Sequence, residues 1–165
     1  MYAQCKLDYN TVIYVSFDET LGTVSGNYQN GEIKPRPACN EIIKIVDNVL
    51  SIGSLHIVAT PKESTPQYEY RFNGWNVQDG DVVYEEMEIV ANFERVERTY
   101  NVKVEIGDTT NELTVAYGTE VLIEGNKITI GNTTFTASQT GKTFKKWIGA
   151  VGVIEGAITI VAEFE

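Results

Sequence analysis

The sequence repeats itself, and this repeat constrains the fold more than any other feature. Residues 72–94 read FNGWNVQDGDVVYEEMEIVANFE, and residues 144–165 read FKKWIGAVGVIEGAITIVAEFE. Both stretches open on Phe-x-x-Trp and close on Ile-x-Ala-x-Phe-Glu. Upstream, VDNVLSIGSLHIVAT (46–60) aligns without a gap with EGNKITIGNTTFTAS (124–138). Self-similarity at a fixed order of motifs indicates two copies of one structural unit.

The match also sets the expected boundaries of the two copies. YNTVIYV (9–15) matches YNVKVEI (100–106), so each copy begins near such a segment. The first copy carries an insertion at about 18–38, rich in Gly, Asn and Pro. The predicted division is an N-terminal arm (1–6), a first repeat module (7–98) and a second repeat module (99–165).

Within each copy the apolar residues recur with a period of two, which is the strand period and not the helical one. In EIIKIVDNVLSIG, an alternating run is followed by Asp47-Asn48 and then by a second alternating run. In TEVLIEGNKITIG, Gly125-Asn126 stands at the same place. Turn residues between two alternating runs predict a β-hairpin. We therefore expect a mainly β fold of two small modules with little or no helix, CNEIIKIVDNV being the one weak helix candidate.

Charge narrows the range of partners. The 165-residue chain has a formal net charge of −10. Nucleic acid is disfavoured because binding it requires a basic patch, and anionic membranes are disfavoured for the same reason. No apolar run is long enough to predict a transmembrane helix, and the first residues do not resemble a signal peptide. Either the protein is cytoplasmic or this chain is an excised piece of a longer secreted one, and the ending on an apparent strand, IVAEFE, favours the excised piece. We expect the chain to be a monomer within that longer protein.

The two cysteines leave two readings open. Cys5 and Cys39 are able to form a disulfide, but a single pair is far from a disulfide framework. Two free thiols, one of them on the N-terminal arm, are the alternative.

The order of these motifs resembles the internalin B-repeat family, also called the Listeria–Bacteroides repeat. Copy two supplies YNVKVEI, VAYGTEV, FKKW and ITIVAEFE, and copy one supplies VSFDETLGTVSG and FNGW. Copy one lacks a clear Tyr-Gly element, and copy two has Lys146 where the family commonly has Gly. The resemblance implies compact β-grasp-like modules on a cell-surface protein, used as spacer or adhesive units, with no catalytic residues.

The repeated aromatic residues are predicted to anchor the two cores. A Trp contributes on the order of 200 Å² of buried surface and dominates a core of this size. A repeated core position explains the duplication without a ligand. The predicted anchors are Phe72, Trp75, Phe93, Phe144, Trp147 and Phe164.

Residues outside the repeated pattern are the better candidates for binding. Tyr28, Tyr68, Tyr70 and Tyr84 are the candidate partner-binding residues. The acids Asp79, Asp81 and Glu85 leave calcium binding open, although Asp-Gly here also fits a turn. We expect a non-catalytic, extracellular spacer or adhesion module that needs no cofactor and binds a protein. The alternative is a lectin-like module that binds carbohydrate through exposed tyrosines.

Overall fold

The computed structural model describes residues 4–8 and 10–165. Every regular element in these residues is a β-strand, so the prediction of a mainly β protein is confirmed. The first ten strands are β1 (Ile13–Ser16), β2 (Gly22–Gly26), β3 (Tyr28–Gln29), β4 (Glu32–Ile33), β5 (Glu41–Val46), β6 (Val49–Ile52), β7 (Leu55–Pro61), β8 (Tyr68–Trp75), β9 (Val82–Val83) and β10 (Met87–Glu97). The other seven are β11 (Thr99–Ile106), β12 (Thr109–Ala116), β13 (Val121–Glu124), β14 (Lys127–Ile130), β15 (Thr133–Thr136), β16 (Phe144–Ile148) and β17 (Ile158–Phe164).

The chain forms two compact units. The first runs up to Ser64 and resumes over Tyr70–Val96, and the second combines Thr65–Glu69 with Glu97–Glu165. This division differs from the expected boundary at 98/99 chiefly by Thr65–Glu69. That segment joins the second unit through backbone bonds such as Arg98 N–H to the carbonyl of Gln67, at 2.8 Å.

The first unit contains two five-stranded sheets, ordered β3-β4-β1-β10-β8 and β2-β7-β6-β5-β9. Its earliest strand, β1, lies parallel to its last, β10, with Ile13 opposite Met87 and Val15 opposite Ile89. The second unit contains sheets ordered β12-β11-β17-β16 and β13-β14-β15. Its first and last strands, β11 and β17, are also parallel neighbours.

The predicted hairpins are present in both units. β5 pairs antiparallel with β6, and β13 pairs antiparallel with β14. The turns between them have left-handed backbone at Asp47 (φ 51°) and at Gly125 (φ 62°). Asp and Gly tolerate this conformation better than most residues, which is why these turns were readable from the sequence. The one helix candidate, CNEIIKIVDNV, folds largely into β5.

The register of the first strand differs from the sequence match. Val15 lies opposite Ile89, and Val104 lies opposite Ile160. Since Ile89 and Ile160 are repeat equivalents, Val15 corresponds to Val104, whereas the sequence match had placed Ile13 there. A slip of two residues keeps every side chain on its own face of the sheet, so alternation alone does not exclude it.

The insertion at 18–38 is built into both sheets of the first unit. Its strand β2 pairs with β7, and its β3–β4 hairpin joins β1 through Tyr14 opposite Glu32. In the second unit the strand beside β11 is β12, which forms an ordinary hairpin with it. The insertion therefore supplies structural strands and is not a free surface loop.

Each unit has its own aliphatic core, and all fully buried side chains in the described residues are apolar. The first core consists of Ile13, Val15, Val24, Ile33, Ile43, Leu50, Ile52, Ile57, Ala59, Val83, Ile89 and Ala91. The second consists of Val102, Val104, Ile128, Ile130, Ile154 and Ile160. These residues come from the alternating runs that predicted the strands.

Candidate functional site

The six predicted anchors form two equivalent aromatic groups beside these cores. Phe72 packs against Trp75 with ring centroids 5.3 Å apart and against Phe93 at 5.8 Å. Phe144 packs in the same way against Trp147 at 5.4 Å and Phe164 at 6.2 Å. All six rings are only partly buried, so they flank the aliphatic cores and do not fill them.

The two tryptophans differ in the bonding of the indole nitrogen. Trp147 Nε1 donates a hydrogen bond to the carbonyl of Gly125 at 3.2 Å, which ties the closing hairpin to the turn before β14. Trp75 Nε1 is buried and has no hydrogen-bond partner in the structure. The packing of the aromatic group is thus repeated, but its polar contact is not.

The four candidate tyrosines are half-buried and occupy different surroundings. Tyr28 packs on the first core with its ring edge-on to Phe17, at 5.9 Å. Tyr70 has the ammonium group of Lys62 5.2 Å above its ring, a cation–π geometry. The hydroxyl of Tyr68 accepts a hydrogen bond from Gln67 Nε2 at 3.2 Å. The hydrogen bond to Glu85 raises the pKa of Tyr84.

Tyr14, which was not among the sequence candidates, is 46% exposed on β1. The negative charge of Glu86, followed by its hydrogen bond and the charge of Glu32, raises the pKa of Tyr14. Glu88 lies opposite Tyr14 in the parallel pairing and accepts a hydrogen bond from the hydroxyl of Ser16 at 2.7 Å. The signal in the sequence is a Tyr at an outward position of an alternating strand, but the acids reach it only through the fold.

The acids considered for calcium have structural contacts. Asp79 Oδ1 accepts the backbone N–H of Ile45 at 2.8 Å, and Asp81 Oδ2 accepts that of Gln78 at 2.9 Å. Glu85 lies 3.7 Å from the ammonium group of Lys6. Among residues 4–8 and 10–165, no three or more His, Cys, Asp or Glu side chains are grouped so as to hold a metal ion.

Cys5 and Cys39 form a disulfide with their Cα atoms 5.7 Å apart. The bond attaches the N-terminal segment to the turn before β5. In that turn Asn40 N–H donates to the carbonyl of Val83 at 2.8 Å, and in the second unit Gly118 N–H donates to that of Ile154 at 2.7 Å. Asn40 is therefore the counterpart of Gly118, and Cys39 is the counterpart of Tyr117. The missing Tyr-Gly element of copy one is replaced by the residues that carry the disulfide.

The Phe-Asp-x-x-x-Gly motif at 17–22 also has a clear physical basis. Hydrogen bonds from the hydroxyl of Thr20 and then from its backbone N–H lower the pKa of Asp18. The backbone carbonyl of Asp18 accepts from Gly22 N–H at 3.2 Å. A Cβ at Gly22 would lie 2.6 Å from the ring of Phe93. The motif therefore closes a turn and lets an aromatic ring lie against bare backbone.

A surface depression of about 480 Å³ lies along β1 and β4. Its charged lining residues are Glu32, Lys34 and Arg36. Glu32 and Lys34 form an ion pair at 2.5 Å, so part of this charge is neutralised within the lining.

No helix in the described part of the chain is long and apolar enough to cross a membrane. Searches against models of protein families, curated proteins and solved structures found nothing that matches this chain.

Proposed function

We propose that this chain is a non-catalytic tandem repeat region of a larger cell-surface or secreted protein. In this proposal its two β-grasp-like modules act as a spacer and as a protein-interaction, or adhesion, unit. The observation that carries the proposal is that the duplicated features are those of the framework. Both units contain a hairpin with an Asn in its turn (Asn48 and Asn126), a group of three aromatic rings, and a first strand parallel to the last.

The insertion at 18–38 adds Val24 and Ile33 to the core of the first unit, but other features that differ between the units lie at the surface. Tyr14 with its acids and the Cys5–Cys39 disulfide belong to the first unit alone. A scaffold that is kept while its surface changes is the usual arrangement of a binding module. The internalin B-repeat resemblance points to the same class of protein.

The disulfide supports an extracellular location. Disulfides persist in oxidising compartments and are rare in the cytosol of most organisms. The net charge of −10 supports protein partners over nucleic acid and anionic membranes.

The test is to locate the chain on intact cells of its source. An antibody raised against the full chain should label unpermeabilised cells or the culture medium. Thiol labelling of the recovered protein before reduction should leave Cys5 and Cys39 unmodified. Labelling that requires permeabilisation, together with two reactive thiols, would contradict the proposal.

A second candidate is carbohydrate binding, and the surroundings of Tyr14 favour it. An exposed aromatic ring beside Glu86 and Glu32 offers an apolar face and hydrogen-bond acceptors, the combination that a sugar requires. A glycan array probed with the full chain and with Tyr14→Ala tests this. Saturable binding that the substitution removes would favour the lectin-like reading over the protein-binding one.

A further inference from the structure

The two units differ at one edge of an equivalent strand. This outer edge is the one that faces away from the hairpin partner of the strand. In the first unit that strand is β5, and its outer edge is covered by the loop at 79–81. Ile43 N–H donates to the carbonyl of Asp81 at 2.7 Å, and Gly80 N–H donates to that of Ile43 at 2.8 Å. The side chain of Asp79 accepts the next outward amide, from Ile45, at 2.8 Å. The outward amides of Ile43 and Ile45 and the carbonyl of Ile43 are thus satisfied within the unit.

In the second unit the equivalent strand is β13, and the corresponding edge is largely uncovered. Val121 N–H donates to the carbonyl of Gly152 at 3.0 Å, as its counterpart Ile43 does to Asp81. Ala150 stands where the first unit has Asp79, so no carboxylate reaches the amide of Ile123. Among the hydrogen bonds of the described residues, the carbonyl of Val121 and both backbone groups of Ile123 have no partner.

The direction of these groups follows from the register. In an antiparallel pair, backbone groups of alternate residues point toward and away from the partner strand. The outward bond of Val121 therefore places Ile123, two residues on, in the outward set as well. Three successive backbone groups at a strand edge are a template for a further strand.

Exposed apolar side chains surround this edge. Leu122 is 57% exposed and Ile123 is 44% exposed, both on β13 itself. Val151 and Val153, 41% and 42% exposed, flank the Gly152 that is bonded to Val121. Apolar side chains beside unpaired backbone are the features that a partner strand covers when it joins a sheet.

The charges at the edge indicate which strand would fit. Glu120, Glu124 and Glu155 are exposed and have no ion pair within 4 Å in the described residues. Lys127, the nearby cation, lies opposite Glu124 in the hairpin. A second copy of this chain, with its own net charge of −10, is a poor match for an acidic edge. A segment in which lysine or arginine alternates with apolar residues is a good match.

We propose that the β13 edge, defined by Val121 to Glu124 with Val151 and Val153, is a docking site for a partner protein. The occupant is an extended segment with alternating basic and apolar residues, which adds a strand beside β13. This inference rests on the proposed protein-interaction function and specifies where and how the interaction occurs. Because only three backbone groups are open, the expected affinity for an isolated peptide is weak, on the order of 10–1,000 μM.

The probe is a blocked peptide of about seven residues in which lysine alternates with valine. Titrated into the full oxidised chain and followed by amide NMR, it should shift the resonances of Val121–Glu124 and Val151–Val153 saturably. The amide of Ile123 should gain protection from hydrogen exchange, since it acquires an acceptor. The same peptide N-methylated at its central residues retains its charge and side chains but loses main-chain donors, so it should not bind.

Two substitutions give a matched comparison. Leu122→Glu should weaken peptide binding about tenfold or more, because it removes apolar contact at the docking edge. Ile42→Glu alters a similarly exposed residue (55%) on β5, whose edge is already covered, and should leave binding unchanged. Both changes are at exposed positions, so both variants should remain folded, which their amide spectra would verify.

Three results would overturn the inference. These are equal binding of the N-methylated peptide, shifts located away from β13, and absence of binding at millimolar peptide. Self-association of the chain through this edge, detected by sedimentation and removed by Leu122→Glu, would replace it with a dimer interface. The cell-surface labelling described above is independent of the peptide, so a failed titration with positive labelling rejects only the β13 site.

Discussion

At the scale of single residues, Gly149 shows how closely the backbone is packed around the closing hairpin of the second unit. It has a φ of +82°, and a Cβ placed there would lie 2.7 Å from the backbone carbonyl oxygen of Thr159. A side chain at this position would therefore be strained by its own conformation and by a contact with main chain, which cannot rotate away.

Gly149→Ala should destabilise the second unit by at least about 2 kcal/mol, the combined cost of a left-handed alanine and an overlapping backbone contact. Urea unfolding followed by Trp147 fluorescence, in a Trp75→Phe background, measures this. Gly156→Ala is the control, since Gly156 has no positive φ and no atom within 4 Å of the added Cβ. Equal stability of the two variants would show that the strain at Gly149 is relieved by movement of β17.

At the scale of elements, the best-predicted part of the fold is the repeated hairpin, because its turn residues have specific conformations. The side chain of Asn48 donates to the carbonyl of Ala59 at 2.9 Å, and that of Asn126 donates to Ala137 at 2.9 Å. In the reverse direction, Ala59 N–H donates to the backbone carbonyl of Asn48, and Ala137 N–H donates to that of Asn126. Local sequence is enough to predict such a turn, because the Asn occupies the same position in the turn of each hairpin. From that position its side chain bridges to the third strand.

Asn126→Ala should cost roughly 1–2 kcal/mol, because the carbonyl of the buried Ala137 loses its side-chain donor. Asn48→Ala should have a similar effect on the first unit. Thermal unfolding of the full chain gives both values. Asn132→Ala, at an exposed position of the next turn, should change stability by less than about 0.5 kcal/mol. A loss as large for Asn132 as for Asn126 would argue against the bridge as the cause.

Other elements were not predictable in this way because their pairing is non-local. Alternation does not specify a shift of two residues, which is why the first strand was aligned out of register with its counterpart. Nothing near residues 18–38 indicates that β2 pairs with β7 while β4 pairs with β1. The acids around Tyr14 and the open edge of β13 also depend on strands that are distant in the sequence. The sequence therefore predicted the class of fold but not these two surfaces.

At the scale of the whole molecule, covalent stabilisation is unequal between the units. The disulfide joins residues 34 positions apart and lies entirely within the first unit, and the second unit contains no cysteine. Closing a loop of this length removes conformational freedom mainly from the unfolded chain. The first unit consequently depends on an oxidising environment in a way that the second does not.

Reduction of the disulfide should destabilise the first unit by about 2–4 kcal/mol, the range expected for a loop of this length. Hydrogen exchange measured by mass spectrometry, with and without reductant, should show lost protection in β1–β7 and unchanged protection in β11–β17. The double variant Cys5→Ser/Cys39→Ser should show the exchange pattern of the reduced protein, and reductant should not change that pattern. Equal loss of protection in both units would mean that they unfold as one cooperative body.

The parallel pairing of β1 with β10, and of β11 with β17, has a mechanical consequence. In each unit the strand near the entry of the chain and the strand near its exit are direct neighbours running in the same direction. Tension applied to the two ends would try to slide these strands past each other, so their hydrogen bonds would resist together in shear. In a hairpin pulled open from its free ends, the bonds break one after another. In the proposed spacer role, this geometry would let a series of such units withstand pulling.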